Sequence, residues 1–547
     1  MAILDDKDAH APAAGGEGTM NLPNLSSINV SKTNIGVFLG VNETEILKDG
    51  EFSEMTNISS DMFPGLTSRK KRGDVLKTLA DPHGLYWKNG LLYVDGVDLF
   101  YKGEKAGTVT ASDKTMVGMG AYVCIWPDKV VFNTNDGSFK AIEASWAQTA
   151  AATVTPVSDG STYVKISSTG IGKSFERYDA VNLSGFTSYG DYLNVSKVIQ
   201  EKGDDYIVVI ATDGNGAALK NFTQDTGISA KRSCPDMDFI CEFNNRLWGC
   251  SSKNHEIYAS KLGDPLNWNS FEGISTDSYA VSIGSDGDFT GMIAHQGYVV
   301  AFKEDYIHTI YGTKPSNFTL DTIEARGPAK GCERSLCHVD ETVFYAARNA
   351  IVSFEGSTPE SVSDKLRIRY TEARGNQYDS KYFLSLKDEK DLWHLYVYDV
   401  RKSSQQNMAL WYTEDDLELR FSCYAEGKLY LIDQNGNLRT IYGEEEENLI
   451  DWSLQSGFIE EGSMNKKMIH RMQLNLELVP NAYVELLVRY DNSPLWIRMA
   501  SITADRRGSY QIPVKLRRAE RYQYRLQGKG KFKLYGLSRI VEQGSER

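Results

Sequence analysis

Apolar and aromatic residues alternate with polar ones in short runs along this chain, and the runs come in pairs joined by Gly- and Asn-rich turns. Alternation with a period of two is typical of strands with one buried face, and a short turn between two such runs predicts an antiparallel hairpin. Seven segments follow the pattern, one of them (Lys381–Asp399) loosely: Asn89–Gly103, Gly120–Phe139, Asn244–Ser260, Gln296–Gly312, Glu341–Gly356, Lys381–Asp399 and Glu426–Gly443. We therefore predict an all-β fold.

The spacing of these hairpins indicates how they are arranged. Neighbouring hairpins lie roughly 30 to 50 residues apart, with one longer gap, and this spacing favours the blades of a β-propeller. Stacking hairpins around an axis buries the faces that a single hairpin leaves exposed. We predict a propeller-like core over residues 81–149 and 231–443. A stack of β-sandwiches is the alternative.

Two further regions differ from the hairpin repeats. Residues 150–230 alternate short strands with Gly and Asp turns, which predicts a small β-barrel inserted into one blade. Residues 444–547 begin with the acidic run Glu444–Glu447 and continue as alternating strands about ten residues apart, a pattern typical of a β-sandwich. We expect this C-terminal domain to be basic on its outer positions.

The N-terminal region has few bulky apolar residues at its start. We expect residues 1–30 to form a flexible arm and residues 31–80 to close onto the propeller. The start lacks the basic and apolar regions of a secretory signal, and no stretch approaches the roughly 18 apolar residues of a membrane span. We expect synthesis in a cytosol and no membrane span.

Charge is distributed unevenly along the chain. The net charge is -13, yet residues 464–547 carry 17 Lys and Arg against 7 Asp and Glu, about +10, which leaves about -23 on the rest. The basic region is either a solvated face or a docking surface for an acidic partner. The candidate assembly or docking residues are Arg69, Lys70, Lys71, Arg72, Arg517, Arg518, Arg521 and Arg525.

The alternation of residues on the last strands separates tyrosines from arginines. Tyr522 and Tyr524 point to one face of their strand, and Arg521 and Arg525 point to the other. Buried tyrosines with outward arginines explain this pattern without a ligand. Nucleic-acid binding through residues 515–533 is the alternative.

No motif for catalysis, cofactor binding or metal binding is complete. The segment Ser167–Ser174 resembles a phosphate-binding loop but lacks its first glycine and a following helix. The segment Cys332–His338 lacks the second cysteine pair of a zinc finger, and the turn Ser285–Phe289 has only two carboxylates for calcium. The seven cysteines are odd in number and scattered, so we expect buried thiols. We predict no catalytic, cofactor-binding or metal-binding residues.

Three segments resemble tail-tube nozzle and packaged-DNA stabilisation (tail hub) proteins of tailed bacteriophages. Gly50–Gly73 contains N-x-S and then P-x-L-x-x-R, Asn244–Trp268 ends in P-x-x-W, and Arg525–Ser545 is similar to the usual ending of these proteins. The likeness extends over most of the chain, and its motifs are diffuse.

The resemblance implies a non-enzymatic virion protein of the tail. It implies a homo-oligomeric ring, expected to be hexameric, that contacts adaptor or portal-proximal and other tail proteins, retains the packaged genome and lets DNA pass at ejection. Acidic side chains are expected to line the conduit, because negative charge repels phosphates. The alternatives are a phage fibre or baseplate propeller, and a cellular glycan-binding or glycan-hydrolysing propeller.

Overall fold

A computed structural model describes residues 30–367, 369–444, 449–462, 465–503, 506–515 and 517–543. The predicted N-terminal arm lies outside these residues except for Val30, as does the acidic run except for Glu444. The described residues confirm the all-β fold class. Their helical elements are the α-helices Gly190–Leu193 and Val400–Gln406 and the 3-10 turns Ile171–Lys173, Pro315–Asn317 and Glu333–Ser335.

Seven of the eight four-stranded sheets among the described residues form the blades of a propeller. Each predicted hairpin lies in a different blade. The strands are Pro82–Trp87, Leu91–Asp95, Asp98–Tyr101 and Glu104–Thr108 in blade 1; Thr115–Met119, Tyr122–Trp126, Val130–Asn133 and Phe139–Ala141 in blade 2; Phe239–Phe243, Arg246–Ser251, Glu256–Ala259 and Tyr279–Ser282 in blade 3; Phe289–His295, Tyr298–Lys303, Tyr306–Tyr311 and Thr319–Glu324 in blade 4; Cys337–Val339, Thr342–Ala347, Ala350–Phe354 and Glu360–Ser361 in blade 5; Tyr370–Tyr378, Lys381–Asp388, Trp393–Asp399 and Trp411–Thr413 in blade 6; and Phe421–Ala425, Lys428–Ile432, Asn437–Thr440 and Lys77–Thr78 in blade 7.

Two-residue turns explain why the sequence forms these hairpins. Both residues have positive φ in Asn244–Asn245, Asp379–Ser380 and Glu426–Gly427, the backbone conformation of a type I′ turn. This turn matches the right-handed twist of paired strands, and Asn, Asp and Gly adopt it at the lowest cost. The hairpins are therefore specified locally.

The blades close into a ring through contacts between neighbouring sheets. The first strand of each blade lies nearest the axis, where all seven first strands or the residues next to them line one central cavity. Aromatic rings pack between adjacent blades, with centroids 5.2 Å apart for Phe302 and Tyr345 and 5.5 Å apart for Trp87 and Tyr430. The second pair joins blade 1 to blade 7, so the ring is complete.

The insertion lies between blades 2 and 3, whereas the sequence pattern predicted an insertion into one blade. It has two sheets around a core of its own, which includes Val154, Ile166 and Val209. No closed barrel is formed by the described strands, because the two sheets are not joined by a continuous ladder. One sheet contains Ala144–Ala147, Ser229–Arg232, Ala180–Ser184 and Ser196–Val198, and the other contains Glu201–Gly203, Tyr206–Ile210, Tyr163–Ser167, Ala152–Pro156 and Phe222–Gln224.

The C-terminal strands form a two-sheet sandwich that also takes in the N-terminal segment. The first sheet contains Ile58–Ser59, Leu66–Ser68, Phe532–Gln543, Lys467–Leu478, Gly508–Pro513, Val30–Ile35 and Arg518–Ala519. The second sheet contains Gly40–Val41, Glu51–Thr56, Asp451–Ser456, Tyr522–Lys529, Tyr483–Tyr490 and Ile497–Ile502.

The N-terminal segment, for which the sequence predicts closure onto the propeller, divides its strand pairing between the propeller and the sandwich. Lys77–Thr78 is the outer strand of blade 7, and the other described strands of the segment pair within the sandwich. Val30–Ile35 pairs with Phe532–Gln543, and Glu51–Thr56 pairs with Asp451–Ser456. Short strands separated by hundreds of residues carry no local signal of their partner, so this pairing was not visible in the sequence.

Candidate docking surface and central cavity

Arg69 and Arg72, two of the candidate docking residues, lie inside the molecule at the junction of the N-terminal segment with the loop between blades 6 and 7. Arg72 Nη2 is 2.7 Å from both Glu414 Oε2 and Asp415 Oδ1, and Arg69 Nη2 is 2.7 Å from Asp415 Oδ2. Burial alone would raise the pKa of Asp415, but the two guanidinium groups hold it below its usual value. These arginines are internal ion-pair partners in this structure.

Four other candidates remain accessible at separate places. Lys70 is exposed, and the half-buried Lys71 lies 3.6 Å from the exposed Asp74 carboxylate. Arg517 and Arg518 are exposed at one edge of the first sandwich sheet, where Arg517 lies over the Tyr490 ring at 5.6 Å. These four charges do not form one surface with Arg69 and Arg72.

Arg521 and Arg525 belong to a cluster that we call the arginine–aromatic surface, defined by Phe458, Arg489, Trp496, Arg521 and Arg525. The Arg521 guanidinium carbon lies 4.1 Å from the Phe458 ring centroid, and that of Arg525 lies 4.5 Å from the Trp496 centroid. Arg489 lies between them, 4.8 Å from Trp496 and 5.5 Å from Phe458. Stacking of this kind orients a guanidinium plane while leaving its edge available for hydrogen bonds.

Neutral side chains hold these three arginines in place. Arg489 donates to the Gln523 amide oxygen, Arg521 donates to Asn492 Oδ1 at 2.6 Å, and Arg525 donates to Gln455 Oε1 at 2.5 Å. The one carboxylate within ion-pair range among the described residues is Glu54, 3.8 Å from Arg525 and itself well exposed. The positive charge of the surface is therefore largely uncompensated.

Sequence reasoning found Arg521 and Arg525 but missed the rest of this surface. The predicted alternation is confirmed: Tyr522 and Tyr524 are buried, while Arg521 and Arg525 are half-exposed. The position of Arg489 follows from pairing of its strand with Tyr522–Lys529, in which Arg489 lies opposite Gln523. Only that register brings residues from three separate segments together.

The central cavity of the propeller is a second candidate site. It has a volume of about 740 Å³ and is lined by charged residues from several blades. Arg334 donates to Asp113 Oδ2 at 2.9 Å, and Asp113 also lies 3.1 Å from His83 Nδ1. Arg374 contacts Glu418, and it lies 3.4 Å from Glu372. Most of the carboxylates here are thus engaged by cations.

A buried carboxyl group lies behind the cavity wall, next to the lining residue Leu419. Burial raises the pKa of this group, Glu418, above its usual value, although Arg374 opposes the change. Its neighbour Glu372 also lies 2.9 Å from Lys387. The arrangement places two carboxylates on either side of one guanidinium, which can bind a polar ligand.

Two of the remaining sequence motifs lie apart from both sites, whereas Cys332–His338 contributes Glu333, Arg334, Leu336 and Cys337 to the lining of the central cavity. Lys173 is the last residue of a three-residue 3-10 turn and is 4.0 Å from Asp204, and Asp288 is 3.0 Å from Lys330. Cys332 is buried in the core, and His338 Nε2 lies 2.7 Å from the Ala294 carbonyl oxygen. Within the described ranges no group of three His, Cys, Asp or Glu is placed to hold a metal ion.

No described helix has the length and apolar character needed to cross a membrane.

No protein-family model and no curated protein matches this chain. Among solved structures, similarity extends to the computationally designed protein Ika8, with 12% identity and a TM-score of 0.35 over 68% of this chain and 100% of that chain. An exo-β-1,3-galactanase from Phanerochaete chrysosporium has 8% identity and a TM-score of 0.22 over 55% and 94%. The phage phi92 endosialidase has 11% identity and a TM-score of 0.21 over 77% and 70%. At these scores the similarities carry no argument, and the fold stands on its own strand pairing.

Proposed function

We propose that this protein is a structural component of a bacteriophage tail, a nozzle or hub ring that forms part of the DNA conduit, retains the packaged genome and permits its ejection. The proposal rests on the resemblance of three segments to tail nozzle and packaged-DNA stabilisation proteins. Virions would contain the protein in the tail, after synthesis in the host cytoplasm.

One observation carries this proposal further than the resemblance. The N-terminal segment crosses from the sandwich to the propeller and is held by Arg69 and Arg72 against Glu414 and Asp415. Both ends of the described chain therefore belong to one sandwich, joined to the propeller by buried ion pairs. A sandwich fixed rigidly to a propeller suits the wall of a conduit that must withstand the pressure of packaged DNA.

The motifs that carry the resemblance also have structural roles. In P-x-L-x-x-R, Leu66 is fully buried and Arg69 is a partner in the junction. In P-x-x-W, Trp268 is buried and its Nε1 donates to the Pro265 carbonyl oxygen at 3.0 Å. We expect tail proteins that share one architecture to share the residues that stabilise it.

Electron microscopy of the purified full chain tests the proposal. We expect closed rings, with acidic side chains along the lumen. Elongated trimers would favour a fibre protein. Particles that remain monomeric at micromolar concentration would contradict the ring, and a lumen with rings of Lys and Arg would contradict the repulsion of DNA.

The central cavity supports a second candidate function, binding or hydrolysis of a glycan. Cavities of several hundred Å³ with a few convergent polar groups are common ligand sites, and a carboxyl group with a raised pKa is suited to general-acid catalysis. Glu418 has a raised pKa and lies behind the cavity wall, where it contacts the lining residue Arg374. Activity on a panel of oligosaccharides that is lost in Glu418→Gln, and kept in the sandwich variant Glu485→Gln, would favour this function over the structural one.

A further inference from the structure

We propose that the arginine–aromatic surface docks onto the carboxylate-rich propeller of a second copy of this chain. The inference rests on the proposed ring and names the surface through which neighbouring subunits would meet. The partner is identified by the charge of this chain itself.

The three arginines of this surface are held in position, but their charges are not neutralised. Elsewhere in the sandwich, Arg539 is buried and matched by two carboxylates, with Nε 2.6 Å from Glu461 and Nη2 2.8 Å from Asp49. At the arginine–aromatic surface the corresponding acceptors are the amide oxygens of Gln523, Asn492 and Gln455. An amide fixes the geometry of a guanidinium without cancelling its charge, so these groups can still pair with carboxylates.

The arginine–aromatic surface suits carboxylates better than nucleic-acid bases. Single-stranded nucleic acids bind by stacking their bases on aromatic faces. Here Phe458 and Trp496 are each covered by two guanidinium groups, which occupy those faces. The outward edges that remain are planar donor forks, which match carboxylates.

The arginine–aromatic surface also exposes apolar side chains. Phe458 is 41% exposed, and the neighbouring Leu495 is 72% exposed. Stable protein interfaces combine aromatic and Arg anchors with apolar contact, whereas a purely electrostatic DNA contact does not need exposed leucine. The composition of the patch therefore favours a protein partner.

The charge distribution of the chain indicates a partner of complementary charge. Residues 464–547 carry about +10, while the remaining residues carry about -23. At one end of blade 5, Glu341, Glu355 and Glu360 are exposed and form no ion pair with any other described residue. A basic patch on one subunit that meets an acidic patch elsewhere on the next makes a head-to-tail contact, which generates a ring when the rotation between subunits closes. Two copies of the basic patch would repel each other.

Matched charge reversals test this docking surface. We would measure self-association of the full chain by sedimentation velocity from 50 to 500 mM NaCl for the wild type, Arg489→Glu/Arg525→Glu and Arg471→Glu/Arg507→Glu. The last pair is the control, because both residues are exposed at the other sheet. Arg471 is likewise held by an amide oxygen, that of Gln511, at 3.0 Å, and Arg507 likewise stacks on an aromatic ring, 3.9 Å from the Tyr535 centroid. Circular dichroism and thermal unfolding would verify that all three proteins are folded.

We expect Arg489→Glu/Arg525→Glu to weaken self-association by at least about 100-fold, because the loss of close charge pairs at an interface has effects of this size. The control variant should weaken self-association by less than about threefold. In the wild type, association should weaken as salt increases. Equal association of wild type and Arg489→Glu/Arg525→Glu would overturn the docking surface while leaving the ring intact. A monomeric wild type would instead contradict the proposed function.

Cross-linking identifies the partner directly. Arg525→Lys supplies an amine that a zero-length carbodiimide can couple to a carboxylate, and mixing isotope-labelled with unlabelled protein separates links between copies from links within one copy. We expect links from position 525 to propeller carboxylates of the other copy. Links to the sandwich of the other copy, or salt-sensitive duplex DNA binding that only Arg489→Glu/Arg525→Glu loses while self-association persists, would overturn the inference.

Discussion

Arg72 Nη2 lies 2.7 Å from Glu414 Oε2, and the two side chains are 10% and 1% exposed. This ion pair joins the segment that leaves the sandwich to the loop between blades 6 and 7. The Tyr442 hydroxyl donates to the same Glu414 carboxylate, and the Tyr442 ring lies 5.6 Å from the Arg72 guanidinium. The junction is therefore a connected buried network, in which loss of one member removes a partner from the others.

Replacement of Arg72 should destabilise the junction strongly. In Arg72→Met, Glu414 loses its nearest cation in a buried site, and removal of one partner from such a pair typically costs about 3 to 5 kcal/mol. We expect a clear fall in the midpoint of urea unfolding, monitored by tryptophan fluorescence. Lys70 lies two residues before Arg72, and its side chain is exposed. Lys70→Met should therefore change the free energy of unfolding by less than about 0.5 kcal/mol. Equal effects of the two substitutions would show that the network does not stabilise the junction.

Gly40 is a second point where the N-terminal segment depends on close contact with the propeller. Its φ is +78°, and a Cβ atom there would lie 2.2 Å from the Trp411 carbonyl oxygen. Gly40→Ala should cost more than about 2 kcal/mol, because a left-handed backbone alone costs an L-residue roughly 1 to 2 kcal/mol and the backbone must also move. The measurement is the shift in thermal unfolding midpoint.

Gly36 provides the matched control for that substitution. It is exposed, and a Cβ atom there meets nothing within 4 Å. Gly36→Ala should leave the midpoint unchanged or raise it slightly, since it reduces the freedom of the unfolded chain. If Gly36→Ala destabilises as much as Gly40→Ala, the close approach to Trp411 is not the cause.

His308 should make the stability depend on pH. Burial, with a smaller contribution from Lys303, lowers its pKa from 6.5 to about 4. The folded state therefore prefers the neutral ring. The contribution of neutral His308 to the free energy of unfolding is complete above pH 6.5 and is lost as the pH falls from 6.5 through about 4. The total change is about 3 kcal/mol at 1.36 kcal/mol per pKa unit.

The difference in unfolding free energy between wild type and His308→Gln measures this effect. His308 lies 2.9 Å from both Ser285 Oγ and Thr322 Oγ1. Glutamine cannot take up a proton in this range, so the wild-type advantage should shrink between pH 7 and pH 4. His255→Asn, at an exposed turn residue with positive φ, is the control for loss of a histidine elsewhere in the chain. A difference for His308→Gln that stays constant between pH 7 and pH 4 would contradict the prediction.

The cysteines should react slowly in the folded protein. Five of the seven cysteines are buried and two are half-buried, in agreement with the prediction of buried thiols. Burial raises the pKa of Cys124 and Cys423 to about 12. Because the thiolate is the reactive form, fewer than one thiol per chain should react with Ellman's reagent at pH 8 within minutes. In denaturant all seven should react. Rapid reaction of two or more in the native state would contradict this burial.

Local pattern determined much of this protein. The seven hairpins, the Asn and Gly turns, the strand-rich C-terminal domain and the inward placement of Tyr522 and Tyr524 were all predictable. Each depends on alternation or on turn chemistry within a few residues, and these act before distant parts of the chain meet. The uneven charge was equally a property of the sequence.

Tertiary structure alone decided which distant segments met. Val30–Ile35 pairs with Phe532–Gln543, Lys77–Thr78 completes blade 7, and Arg72 meets Glu414. It also buried Arg69 and Arg72 while it gathered Arg489, Trp496 and Phe458 around Arg521 and Arg525. The physical reason is that an arginine carries the same charge wherever it lies, so the sequence does not reveal its partner. Strand register and the packing of the propeller against the sandwich decide whether that partner is a carboxylate in the core or an amide at the surface.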